Sequence, residues 1–137
     1  MAKKSGQIAI EYMIMVGFVL AIILPLIILF YTESDNISVQ VRSQQLRSIG
    51  ERIVDKAESV YYLGEPTRIT IKIRMPGGVQ NVTLVNRALI FRIQSKLGQN
   101  DIVVPSDVNL TGYMPTSSGI KYISIESKGN YVFINST

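Results

Sequence analysis

YMIMVGFVLAIILPLIILFY, residues 12–31, contains no charged side chain. At about 1.5 Å per residue its twenty residues make a helix of roughly 30 Å, the thickness of a bilayer's hydrocarbon core. The other use of such a run is a buried core helix. A core large enough to surround it cannot be built from the roughly 70 residues that follow the helical region, because small domains bury too little of their surface. The stretch therefore predicts a membrane-crossing segment, with Gly17 and Pro25 tolerated inside it and a kink expected near Pro25.

Its flanks orient it. Lys3 and Lys4 precede the run, whereas Glu33 and Asp35 are the first charges after it. The positive-inside bias then puts the N-terminus in the cytoplasm and the bulk of the chain outside. An ordinary secretory signal would end its apolar run with small residues at a cleavage site, and here Phe30, Tyr31, Thr32 and Glu33 follow instead.

Beyond Thr32 the helical period continues. Ile37, Val41, Leu46, Ile49, Ile53, Ala57 and Val60 recur at steps of three and four, with Arg42, Arg47, Glu51, Arg52, Asp55, Lys56 and Glu58 on the other faces. Leu63, Gly64, Glu65 and Pro66 read as a helix stop. One nearly continuous helix is expected over residues 7–62, and a β-rich head over 66–137.

After Pro66 the period becomes two. Ile69, Ile71 and Ile73 alternate with Arg68, Thr70, Lys72 and Arg74, which predicts a half-buried strand. Met75-Pro76-Gly77-Gly78 reads as a turn into a second strand at 80–85, the two making a hairpin. Further strands are expected at 87–95, 102–104, 120–126 and 131–134, with Gly98-Gln99-Asn100 and Lys128-Gly129-Asn130 as turns. The expected fold class is α+β: a long N-terminal helix packed on a small antiparallel sheet or sandwich. The apolar stripe from Leu46 to Val60 supplies the cover that so small a sheet lacks.

The chain has no histidine and no cysteine. That removes Ser/His/Asp and Cys/His catalysis, imidazole or thiolate metal ligation, and disulfides. The scattered Ser, Asp and Glu form no paired catalytic motif, so no catalytic residue, cofactor or metal is assigned and a non-enzymatic role is expected. Arg68, Lys72 and Arg74 on one strand face could bind anionic surfaces or nucleic acid. Alternating basic residues are more often the solvated face of an exposed strand, and no nucleic-acid partner is assigned. Tyr61, Tyr62, Tyr113, Tyr122 and Tyr131 read as packing and contact residues.

One charge stands at the edge of the apolar run: Lys3-Lys4-Ser5-Gly6-Gln7-Ile8-Ala9-Ile10-Glu11-Tyr12. An ionised Glu11 there is costly unless it is paired or reaches water. These residues resemble the N-terminus of archaeal type IV pilin precursors with a class III signal peptide: a basic leader, a Gly-Gln junction, and a Glu-Tyr pair at the fifth and sixth mature positions. The usual serine at the third mature position is Ala9 here. The resemblance covers about ten residues, or about thirty with the helix.

It implies that residues 1–6 are a leader, held at the membrane by Lys3 and Lys4. A prepilin peptidase would cut between Gly6 and Gln7 on the cytoplasmic side. Glu11 and Tyr12 would serve assembly, and residues 7–31 would pack with other copies of the chain into a helical homopolymer. It also implies a pilus assembly ATPase and membrane platform as partners, passage through the cytoplasmic membrane as precursor, and a final place in an extracellular filament serving adhesion. An archaellum subunit is a variant of this reading. The alternative is a single-pass membrane-anchored ectodomain that binds a ligand or partner without polymerising, which leaves the Gly6-Gln7 and Glu11 pattern unexplained.

Four Asn-x-Ser/Thr sequons begin at Asn36, Asn81, Asn109 and Asn135. Asn109, expected in a loop from Pro105 to Pro115, and Asn81, expected at a hairpin, rank above the other two as glycan acceptors. Asn36 would crowd helix packing, and Asn135 is almost terminal.

Overall fold

The computed structural model describes residues 2–95 and 98–136, with backbone alone for residues 2–5 and 34–36. The chain forms two compact units, residues 1–39 and 40–137. Helix α1, Ala2–Leu63, contributes to both.

In the first unit the helix begins earlier than the expected residue 7, since Ala, Lys and Gln are good helix formers and Gly6 alone, at about 1 kcal/mol, does not interrupt them. It also continues through Pro25. The large apolar side chains from Ile8 to Tyr31 are all exposed, Phe30 at 76% and even Val16 at 38%. This stretch is therefore long and apolar enough to cross a membrane, and none of it is buried within the chain.

In the second unit α1 ends as the sequence indicates. Gly64, at φ 77°, donates its N–H to the carbonyls of Val60 and Tyr61 at 3.2 and 3.1 Å. A left-handed residue after the last turn satisfies carbonyls that would otherwise be orphaned, and glycine adopts it without strain.

Among the described residues seven strands follow: β1 Arg68–Met75, β2 Val79–Val85, β3 Ala88–Ser95, β4 Gly98–Pro105, β5 Leu110–Gly112, β6 Gly119–Ser127 and β7 Val132–Ser136. They form a four-stranded sheet in the order β1-β6-β7-β5 and a three-stranded sheet in the order β2-β3-β4. The α+β class stands, with a mixed rather than purely antiparallel head, because β5 pairs parallel to β7.

The expected hairpin of β1 and β2 does not form. β1 pairs antiparallel with β6, Arg68 opposite Glu126 and Met75 opposite Gly119, while β2 pairs with β3. Met75-Pro76-Gly77-Gly78 carries the chain from one sheet to the other. A turn signal specifies a change of direction and says nothing about which strand supplies the hydrogen bonds.

Gly98-Gln99-Asn100 is likewise not a turn. These residues open β4 opposite Ser95, Gln94 and Ile93. They carry no apolar alternation because this end of an outer strand exposes its side chains and is held by backbone pairing. The Pro105–Pro115 segment contains β5, a strand too short to show a period in sequence. Tyr131 lies just outside β7.

The core draws on both sheets and on α1. Ile73, Met75, Leu110, Ile123, Ile125, Val132 and Ile134 come from the larger sheet. Val79, Leu89, Phe91, Ile93 and Val104 come from the smaller. Leu46, Ile53, Ala57 and Val60 come from the helix, as the stripe predicts, joined by Val54 outside it, while Ile49 of the stripe is only half-buried. Ile37 and Val41, the first two positions of the expected stripe, are 57% and 49% exposed, since the buried face begins only at Leu46.

Candidate assembly segment and head surface

The first unit places the motif residues on exposed helix, with Gln7 and Glu11 on one face. A Cβ at Gly6 would meet nothing within 4 Å, so the Gly6-Gln7 junction is sterically open. The Gln7 side-chain amide donates to Glu11 Oε1 at 3.4 Å, a long contact spanning one helical turn. Tyr12 is 69% exposed beside it. The Gln7 side-chain amide and the Glu11 carboxylate thus lie within reach of each other, as the i, i+4 spacing requires. The side chains of Lys3, Lys4 and Asn36 lie outside the described residues.

On the head, one cluster of charges at the end of β1 and β6 is paired. Arg68 donates to Glu126 Oε2 at 2.7 Å and Lys128 donates to Glu126 Oε1 at 2.7 Å. Bonded first by Lys128 and then by Arg68, Glu126 has its carboxyl held below the usual carboxylate range. Across β3 and β4, Arg92 grips Asp101 through Nε and Nη2, both at 2.8 Å. That two-pronged hydrogen bond lowers the Asp101 carboxyl and raises the Arg92 guanidinium. Of the three basic residues read from β1, the pairing accounts for Arg68 only. Lys72 and Arg74 stand opposite Tyr122 and Ile120. Tyr61 and Tyr62 pack edge to face, 5.7 Å between ring centres.

Arg52, from α1, joins Lys72 and Arg74 at a groove between the helix and β1, floored by Ile49, Ile73 and Ile120. The groove continues along Gln44, Gln45 and Ser48 toward Pro76 and Gly77. Sequence reading missed this cluster, since twenty residues separate Arg52 from Lys72 and only the packing of α1 beside β1 unites them.

The sequons fall differently from expectation. Asn109 is exposed and its carbonyl accepts the Val132 N–H at 2.8 Å, immediately before β5 rather than within an open loop. Asn81 is inside β2 at a register shift, not at a hairpin turn, and its amide donates to Thr83 Oγ1 at 3.4 Å. Asn135 is exposed in β7 opposite Ser124, so strand pairing, not terminal position, describes it. Among the described residues no three His, Cys, Asp or Glu side chains converge in a metal-binding group.

The chain matches no family model, no curated protein and no solved structure. Its fold defines an α+β protein with one N-terminal helix long and apolar enough to anchor it in a membrane.

Proposed function

We propose that this chain is the structural subunit of an extracellular archaeal type IV pilus, assembled by side-by-side packing of its N-terminal helices and serving adhesion. The observation that carries the reading is the exposed apolar stretch 7–31, whose one carboxylate, Glu11, lies a single turn from Gln7 and just beyond the open Gly6 junction. Hydrolysis of the Gly6–Gln7 bond by a prepilin peptidase consumes one water, leaving a carboxylate on Gly6 and an α-amine on Gln7. With an ordinary pKa near 8, that amine is mostly an ammonium at neutral pH.

In the bilayer the apolar face is covered by lipid, and in a filament by identical helices. A helix apolar all round suits both surroundings. Glu11 among packed helices is penalised unless an opposite charge meets it, and the Gln7 ammonium of a neighbour supplies one. The pair fixes register more than it adds stability, because desolvation offsets much of the attraction. An assembly ATPase and membrane platform would drive the transfer out of the membrane, and the head would remain outside, with Asn81 and Asn109 as glycan acceptors.

N-terminal sequencing of surface material tests the reading. A start at Gln7 supports it. Material retaining Met1 or Ala2 in extracellular filaments refutes it, and an intact chain confined to the membrane favours the anchored ectodomain.

A further inference from the structure

We propose that the heads bind one another head to tail through charge: the basic groove of one copy receives the acidic flank of α1 from the next. The groove presents Arg52, Lys72 and Arg74, all exposed, beside Ser48, Ile49, Ile73 and Ile120, with no carboxylate among its lining residues. Among the described residues none of the three cations makes an ion pair.

The complementary surface is on the same molecule. Glu51, Asp55 and Glu58 follow one another at i, i+4 and i+7, a single ridge of α1. Glu51 and Glu58 lie about 100–120° around the helix from Arg52. The two flanks face different sheets. Arg52 borders β1 of the larger sheet, whereas Glu58 accepts the backbone N–H of Asp107, just past β4 of the smaller, at 2.9 Å. Arg47 stands 3.9 Å from Glu51 and partly offsets it. Asp55 and Asp107 are exposed and make no ion pair among the described residues, so with Glu58 they leave a net negative flank.

Because the groove borders the larger sheet and the acidic flank the smaller, one copy can offer its groove to one neighbour and its flank to another. Such unlike patches make a heterologous contact, which propagates as a ring or an open helix. A contact of this kind suits the filament reading, and cross-linking reads it independently of that reading. Exposed charges add little stability individually, so their role is selection of partner and register, with marked salt sensitivity.

The test uses the full-length chain in membranes, where the absence of native cysteine makes introduced thiols unambiguous. One tagged copy carries Ser48→Cys in the groove and a second, differently tagged copy carries Glu51→Cys on the flank. Under a mild added oxidant, which takes up the two electrons, the disulfide joining the two tags should form at low salt. It should fall about fivefold or more when the groove is reversed by Arg52→Glu with Lys72→Glu, or the flank by Asp55→Lys with Asp107→Lys, as expected for like charges facing each other. Both reversals in every copy should restore it. Single reversals without effect, or a double reversal that fails to restore the disulfide, overturn the proposal. Filaments counted in the same cells separate the two ideas: charge-dependent cross-linking without filaments retains the contact and removes the pilus, and normal filaments with charge-independent cross-linking do the opposite.

Discussion

A Cβ placed on Gly50 of α1 would stand 2.7 Å from Cγ2 of Val104 in β4. The same atom would stand 3.0 Å from Phe91 Cε2 of β3, so at this point the helix backbone itself rests on the smaller sheet. Val104 and Phe91 are buried and have little room to move. Gly50→Ala would gain about 1 kcal/mol of helix propensity in open space. Here overpacking of about 1–3 kcal/mol outweighs it, and the variant should unfold at lower temperature. Adding Val104→Ala should recover part of the loss relative to Val104→Ala alone. A thermal melt of detergent-solubilised chain decides this; a more stable Gly50→Ala would show that the helix stands further from the sheet.

Gly112 ends β5 at φ 131°, and any Cβ there collides with the Ile134 carbonyl oxygen of β7. Gly112→Ala combines a disfavoured backbone with a backbone clash, so it should cost more than Gly50→Ala, by roughly 1–3 kcal/mol for the backbone alone. Hydrogen exchange should show loss of protection at Tyr113, whose N–H bonds to Ile134 at 2.9 Å. Unchanged protection would refute the parallel β5–β7 pairing.

Gly6→Val has open space around it, so helix and head should be unchanged. Insertion depends on the apolar run and the preceding lysines rather than on the junction. The expected outcome is precursor accumulating in the membrane fraction with leader attached and filaments absent. Mature filaments from this variant would mean that the scissile bond lies elsewhere.

Glu11→Gln keeps size and helix propensity and removes the charge. Leader cleavage should continue, whereas filament yield should drop about tenfold or more, a factor of ten corresponding to about 1.4 kcal/mol. Wild-type copies mixed in should partly restore assembly, since their Glu11 can still meet a variant's Gln7 amine. Cleaved Glu11→Gln subunits that polymerise as well as wild type would remove Glu11 from assembly.

Acid should weaken the head through Glu126 and Asp101. Both carboxyls are lowered in the folded chain from ordinary values of 4.5 and 3.8, so the unfolded chain binds protons first as pH falls. Their contribution is complete above about pH 4.5 to 5 and is lost as pH drops through the lower folded values. The melting temperature should decline below that window, and Glu126→Gln with Asp101→Asn should flatten the decline. An equal decline in the double variant would assign acid sensitivity to other groups.

Much of the chain's organisation could be read along its length. An uninterrupted apolar run, a stripe repeating every three to four residues, Gly64 before Pro66 and the alternation of Ile69, Ile71 and Ile73 are local patterns, and local backbone geometry alone converts them into a helix, its end and a strand. The spacing of Gln7 and Glu11 belongs to the same class, since one helical turn brings them together. Strand partnership is different in kind. Arg68 meets Glu126 across 58 positions, and no period within either segment encodes that distance. Which face of α1 bears Gly50, where the buried stripe begins, and that Arg52 joins Lys72 and Arg74 were likewise decided only in three dimensions. Packing selects partners by shape and by the apolar surface left uncovered, whereas sequence pattern records only the period at which each segment offers that surface.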